Sequence, residues 1–405
     1  MSEVSGELTT GERVRILRER RGMSRELLAG RIGRSTSWLK KIETNERLLH
    51  SLPTMVRIAE ALRLSDVAEL TGDDMRMPLD TWNRMDHPSV AAIRDAVHGS
   101  LYRRAIAPLA PQTSEALSGQ VAEAWRVWHT SRFQRTEVGN LLPGLIADVD
   151  CAMRAGRSRE LSVVQASLYA LAQQYAAHMA EPELYWVLVD RSVRAAEDAD
   201  DPAALAAGAW VACNGLRERD GESALRLATE AADDLRPRLE TGDTEIRGIF
   251  GALCLSAAVT AAKEGRSGDA WRWHDEAEAT ASRLPSGYAH PLTMFGTGNV
   301  AVYAVSIGTE LKTPGLAVQR AEAPHVVVPS VQRQSRMLVD AARAQWQRRE
   351  PAGAFAYLRA AHDKSPEEVR YVPSARALAA ELARKSSGVL KADAVALAEA
   401  VGVAP

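Results

Sequence analysis

Cysteine, lysine, aromatic residues and long apolar runs are all scarce in this 405-residue chain, and each shortage excludes something. The three cysteines, Cys151, Cys213 and Cys254, lie far apart with no CxxC pair, which argues against a disulfide framework or a structural zinc site and fits a reducing compartment. Their simplest role is as small buried apolar residues. Aromatic residues make up 5% of the chain, and no run of alternating apolar residues is long enough to build a sheet. No apolar stretch approaches the roughly 20 residues that would span a bilayer, so no membrane partner is expected. The opening MSEVSGELTTGERVR carries early acids and no apolar core, which is unlike a secretory signal, and the expected location is cytoplasmic. Lysine is outnumbered 7 to 43 by arginine. With the alanine content described next, that ratio suggests a GC-rich genome, so part of the arginine content reflects codon usage.

What is abundant is alanine. Of 69 alanines only four precede Thr71, so residues 72–405 hold 65 in 334 positions, an excess that points to close-packed helices. The length exceeds what one hydrophobic core usually serves and predicts two or three domains. A formal charge of −2 conceals an uneven distribution. From Thr10 to Arg47 there are 11 Lys or Arg against five Glu, an excess of six in 38 residues, and the remainder of the chain is net acidic.

The segment GERVRILRERRGMSRELLAGRIGRSTSWLKKIETNER, continuing into LPTMVRIAEALRLSDVAELTG, reads as five short helices. The first turns Val14, Leu17 and Arg18 inward and stops at Gly22, suited to the left-handed conformation past a helix end. Ser24 offers an N-cap to a second helix with Leu27, Leu28 and Ile32 on one face, and Gly33 breaks it. Ser35 caps the third, where Leu39 and Ile42 share one face and Thr36, Ser37, Lys40, Lys41 and Thr44 fall on the other. Pro53 sits near the first turn of the fourth, where a missing N–H costs least. A helix, a tight glycine turn and a second helix with a short polar, basic face make a helix-turn-helix. Such a helix fits the DNA major groove, its Ser, Thr and Lys can reach base edges, and flanking Arg can neutralise phosphates. The plainer alternative is a basic solvated face on an ordinary helical bundle.

Over about residues 10–71 this block resembles the lambda-repressor-like family of helix-turn-helix domains, known in bacteria as the xenobiotic-response-element type. LRERRGMS, LLAGRIG, WLKKIETNER and RIAEALRLS carry the resemblance. It implies that Thr36, Ser37 and Lys41 occupy base-reading positions with Lys40 beside them. Arg25 stands where the family usually has a phosphate-contacting Gln, Asn45 and Arg47 match the loop that approaches the backbone, and Arg34, at a commonly apolar position, joins these phosphate contacts. Arg18 and Glu43 match a partly buried structural ion pair. Trp38 replaces a Ser or Thr and either packs against the second helix or contacts sugar and phosphate. Asn45 replaces a Gly and tolerates the left-handed turn.

Residues 72–114 read as a connector containing one helix, about Ser89 to Arg104, between Pro78, Pro88, Pro108 and Pro111, with Trp82, Ile93, Val97 and Leu101 needing burial. Residues 115–405 read as antiparallel helix pairs at about 115–153, 160–198, 202–238, 244–283, 290–323, 329–363 and 367–401. The period is irregular: Ala224 to Ala270 is 46 residues and Ala317 to Ala354 is 37. Stacked hairpins of this kind form a superhelix with a concave face. This portion resembles the tetratricopeptide-type sensor domains fused to repressor-like DNA-binding domains in actinobacterial regulators, most recognisably at FGTGNVAVY and SPEEVRYVPSARALAAELAR. The expected fold class is therefore all-α, a small five-helix DNA-binding domain (1–71), the connector, and an α-solenoid of tetratricopeptide-like hairpins that senses or dimerises.

No HExxH, GxSxG, GxxxxGK[ST] or GxGxxG motif is present, and the nine His are scattered, so no catalytic residue, metal site or cofactor is expected and the chain does not read as an enzyme. In YAHPLTMFGTGNVAVY, two Gly with Thr297 and Asn299 interrupt an apolar helical pair, as either a kink or helix start or a ligand-facing wall. The second reading draws Phe295, Thr297, Asn299 and Tyr303 together with Trp210, Asn214, Arg336 and Asp340 into one mixed pocket.

The function these readings support is a regulator that binds a double-stranded DNA operator as a homodimer, nucleoid-associated when bound, with an array that senses a small molecule or peptide. The alternative is an interaction scaffold whose concave face docks a partner protein and whose DNA binding localises the complex.

Overall fold

The computed structural model describes residues 8–47, 49, 52–64, 66–72, 85–99, 111–179, 181–240, 243–323 and 328–403. Among them there is no β-strand, and the fold is all-α.

Five helices open the chain: α1 (Thr10–Arg20), α2 (Arg25–Arg31), α3 (Thr36–Glu43), α4 (Leu52–Ala61) and α5 (Ala68–Thr71). Their ends follow local chemistry. Thr9 and Glu12 form a reciprocal capping box on α1, and the Ser24 and Ser35 hydroxyls accept from the N–H groups of Leu27 and Trp38. Gly22 and Gly33 adopt φ of 62° and 66° at the turns, and Asn45 takes φ 59° after α3. Val14, Leu28, Ile32, Leu39, Ile42, Ile58 and Leu70 pack into one core. Leu27 does not join it: the buried side of α2 is Leu28 with Ala29 and Ile32, and Leu27 is 48% exposed. Arg18 and Glu43 brace α1 against α3 through two parallel bonds, Nε to Oε1 at 2.6 Å and Nη2 to Oε2 at 3.0 Å. The Glu43 side chain is 0% exposed. Burial opposes its ionisation, but hydrogen bonds from Arg18 and Arg25 prevail and hold its pKa below the usual carboxylate value.

Of the connector, α6 (Val90–Gly99) is described, with Val90, Ile93 and Val97 buried in the array's core. Trp82, Leu101, Pro78, Pro108 and the expected helix end near Arg104 lie outside the described residues.

The array follows as consecutive hairpins: α7 (Ser114–Thr130) with α8 (Gln134–Ala155), α9 (Arg159–Ala176) with α10 (Pro182–Ala199), α11 (Pro202–Leu216) with α12 (Gly221–Leu235), α13 (Thr244–Lys263) with α14 (Ser267–Ala281), α15 (Thr297–Glu310) with α16 (Pro314–Ala321), and α17 (Val331–Gln347) with α18 (Pro351–Lys364). The short α19 (Pro366–Tyr371) leads to the last pair, α20 (Pro373–Lys385) and α21 (Gly388–Ala400). Asp201, Asp220 and Asp243 cap helix starts, and prolines occupy the first turn of α10, α11, α16, α18, α19 and α20.

Helix α13 is the centre of the array, buried without a break from Gly248 to Ala262. Contrary to the sequence expectation, its length and composition would suffice to cross a membrane, but most of it is covered by neighbouring helices. Small residues on α13 let the 285–296 loop lie flat on it. A Cβ on Gly251 would stand 1.9 Å from Cζ of the fully buried Phe295 ring, and one on Gly248 would stand 2.6 Å from Cδ2 of His290. The GTGN interruption is a helix start, since α15 begins at Thr297 directly after Gly296. Cys213 and Cys254 are fully buried and Cys151 partly so, and burial pushes the Cys213 thiol up to about 12, away from reactivity.

Gly251→Ala should destabilise the array by about 1–3 kcal/mol through overpacking, measured as a lowered urea midpoint with unchanged m. Glu43→Gln should destabilise the N-terminal domain by about 3–5 kcal/mol at neutral pH, because it removes the buried charge partner of Arg18 and leaves only the half-exposed Glu19 beside it. The Glu43 contribution is present above the ordinary carboxylate range and is lost as pH falls through its depressed folded pKa, so the variant should show a flatter acid limb in hydrogen exchange of α1 and α3.

Candidate nucleic-acid interface

Helix α3 presents two faces. Trp38, Leu39, Ile42 and Glu43 are buried, while Ser37, Lys40, Lys41 and Thr44 are exposed and Thr36 is half-buried beside them. Neither lysine makes an ion pair among the described residues, so both ammonium groups stand free in solvent. This strip can donate to base edges in a major groove.

The residues flanking the strip are in a different state. Arg34, just before the Ser35 cap, reaches across to the helical array, where its Nη2 donates to Glu264 Oε1 at 2.9 Å and its side chain is 4% exposed. Arg47, just after α3, donates from Nη2 to Glu264 Oε2 at 2.6 Å and to the Glu264 main-chain oxygen at 3.0 Å. Glu264 caps the C-terminus of α13, where unpaired carbonyls and the helix dipole favour a cation. Its carboxylate fits because Gly221 has no side chain: a Cβ there would lie 2.2 Å from Oε1. Glu222 stands 3.5 Å from Arg47. Arg57 of α4 donates to the Arg219 main-chain oxygen at 3.0 Å, and burial, with Arg34 nearby, lowers its pKa. Ala377 of α20 closes the contact by packing into the N-terminal core.

Arg34 and Arg47 are therefore not open to phosphate as the sequence reading requires. The physical reason is Glu264, a buried carboxylate that needs compensation and takes it from both guanidiniums. Arg25, also expected to face phosphate, donates from Nε to Glu43 Oε2 at 2.6 Å, and the exposed Asn45 accepts from the Thr9 hydroxyl at 2.9 Å. Trp38 packs: it is buried, with the Arg34 guanidinium 5.2 Å from its ring centre. Sequence reasoning missed Arg57 and Glu264, whose partners lie more than 150 residues away, and Gly221, which matters only through Glu264, and none of them leaves a local pattern.

The expected ligand pocket does not form as one site. Trp210, Phe295 and Asn299 are interior residues, Asn299 Nδ2 donating to the Thr293 main-chain oxygen, because their helix faces are covered by neighbouring hairpins. Thr297 is exposed at the start of α15, and Asn214 accepts from Arg217. Tyr303, Arg336 and Asp340 do line a cavity of about 210 Å³, but a charged one in which Arg336 is held by Glu368 and Asp340 by Arg343 and Ser306. A larger cavity of about 720 Å³ lies elsewhere, between α7, α9, the start of α11 and the 288–294 loop. Two of its histidines are neutral: burial, with Arg333 nearby, pushes His129 down to about 3, and burial pushes His290 down to about 4. His274, Asp275 and Glu278 come within 4.8 Å of one another on α14, a grouping that the reading of the histidines as scattered passes over, but the His274 Nε2 faces the Val300 main-chain oxygen at 3.1 Å and both carboxylates are exposed.

Three comparisons bear on this geometry. A solved structure of ComR from S. thermophilus, in complex with DNA and its signalling peptide ComS, aligns over 98% of this chain and 100% of that one at 14% identity. Its TM-score of 0.25 is too low to imply a common overall shape. No curated protein sequence matches the chain. Residues 10–70 match the sequence profile of a family described as a helix-turn-helix domain, so the chain carries a helix-turn-helix domain at its N-terminal end.

Proposed function

We propose that this chain is a transcriptional regulator that reads double-stranded DNA through α3 and is held in a masked state by its own helical array, with no catalytic role. In this reading Ser37, Lys40 and Lys41, with Thr36, contact bases, and Arg34, Arg47, Arg25 and Asn45 approach phosphate. Two copies would read half-sites about one helical turn apart. The array would sense a small molecule or peptide that prefers the released arrangement and so shifts the population toward DNA binding.

The observation that carries the proposal is the contrast between the two groups of basic residues. The base-reading strip is solvated, while Arg34 and Arg47, at either end of it, are both bonded to Glu264. A phosphate oxygen offers these guanidiniums the same charge and geometry, so DNA and Glu264 compete for the same groups. Charge-assisted bonds are worth about 1.5–3 kcal/mol each, enough for two of them to hold the closed form while leaving it reversible.

Selection from a random duplex library, followed by titration on the selected sequence, tests both parts. Glu264→Ala should bind the selected duplex at least about tenfold more tightly than the unsubstituted chain, the equivalent of one lost bond. Lys41→Ala should lose about 1–3 kcal/mol of discrimination on that duplex and little on unrelated ones. If no common sequence is selected, or Lys41→Ala behaves alike on every duplex, sequence-specific reading is wrong. If Glu264→Ala binds no more tightly, masking is wrong and DNA reading stands.

A further inference from the structure

The 720 Å³ cavity has a wall and a rim of different chemistry. Val121, Trp125, Val164, Ala170, Ala207 and Met294 make the wall apolar, and the alanines of α9 and α11 leave room that larger residues would fill. At the rim stand two carboxylates, Asp201 and Glu245. Asp201 caps α11 and lies 3.6 Å from Arg159. Glu245, itself exposed, has no basic partner among the described residues. Partial desolvation, with Asp243 and Asp201 nearby, raises its pKa above the usual carboxylate value, the mark of a negative charge lacking compensation. Arg126, a basic side chain that also lines the cavity, is already held by both oxygens of Glu123.

We propose that this cavity binds a hydrophobic cation, an apolar aromatic or aliphatic body carrying one amine or onium charge, with the body against Trp125 and Ala207 and the charge beside Glu245. The volume lies within the range of small-molecule sites, an apolar wall with a few polar groups is their usual make-up, and an aromatic side chain adds attraction for a cation. The neutral histidines put no competing positive charge on the wall. The inference rests on the sensing part of the proposed function and names its ligand class.

The test uses the full chain without DNA, so its failure leaves the DNA-reading proposal standing. Isothermal titration with tetraphenylphosphonium and with tetraphenylborate compares one shape carrying opposite charges. The phosphonium should bind saturably, one per chain, and the borate should bind weakly or not at all. Glu245→Gln, at an exposed position that does not threaten folding, should weaken phosphonium binding about fivefold or more. Ala207→Trp should abolish it by filling the cavity, with circular dichroism checking that the helices persist. Borate binding as tight as phosphonium binding, or an unchanged affinity in Glu245→Gln, would overturn the cation assignment. Absence of saturable phosphonium binding would overturn the site.

Discussion

Glu264 is one carboxylate shared by two guanidiniums, and the relation between the two parts of this chain depends on it. Its oxygens take Arg34 and Arg47 separately, and its main-chain carbonyl takes Arg47 again at a helix C-terminus that already attracts positive charge. Three arginines, counting Arg57, gather where the array offers acidic side chains and free carbonyls. Removing positive charge from the N-terminal domain would loosen the contact as surely as removing Glu264. In the proposed DNA complex, phosphate replaces a carboxylate rather than water at Arg34 and Arg47. Added salt would weaken the Glu264 contact as well as the phosphate contacts, so the net salt dependence of binding would be shallower than the number of phosphate contacts suggests.

Small residues set the geometry that allows this. Gly221 makes room for the Glu264 carboxylate, Gly251 for the Phe295 ring, and the alanines of α9 and α11 for the large cavity. Each is a place where the absence of side-chain atoms positions another group, so packing in this array is decided as much by what is missing as by what touches.

Much of this was legible in the sequence where the determinants are local. Gly22, Gly33, Ser24, Ser35 and Asn45 mark helix ends through their own backbone preferences, and the Asp caps and first-turn prolines punctuate the hairpins, so helix boundaries could be placed within a few residues. The helix period put Arg18 inward, and it meets Glu43 25 residues on. What failed was long-range. Arg34 and Glu264 are 230 residues apart, and no spacing rule joins them. Trp210, Phe295 and Asn299 share a plausible chemistry for a pocket, yet which face of a buried helix meets a void depends on the other hairpins, and here those residues face protein. Leu27 failed for a simpler reason: α2 is only two turns long, and its neighbours cover a narrower stripe than its apolar residues offer.

Helix α13 carries Glu245 in its first turn and ends at Glu264. At about 1.5 Å per residue, its 20 residues make a rod of about 30 Å, buried along most of its length and too well packed to bend easily. In the proposed sensing it would act as a lever. A tilt of about 2° at the Glu245 end carries the other end about 1 Å, and hydrogen bonds weaken steeply over such a distance. In that reading the proposed cavity site and the grip on Arg34 and Arg47 would be two ends of one body, with no relay of side chains needed between them.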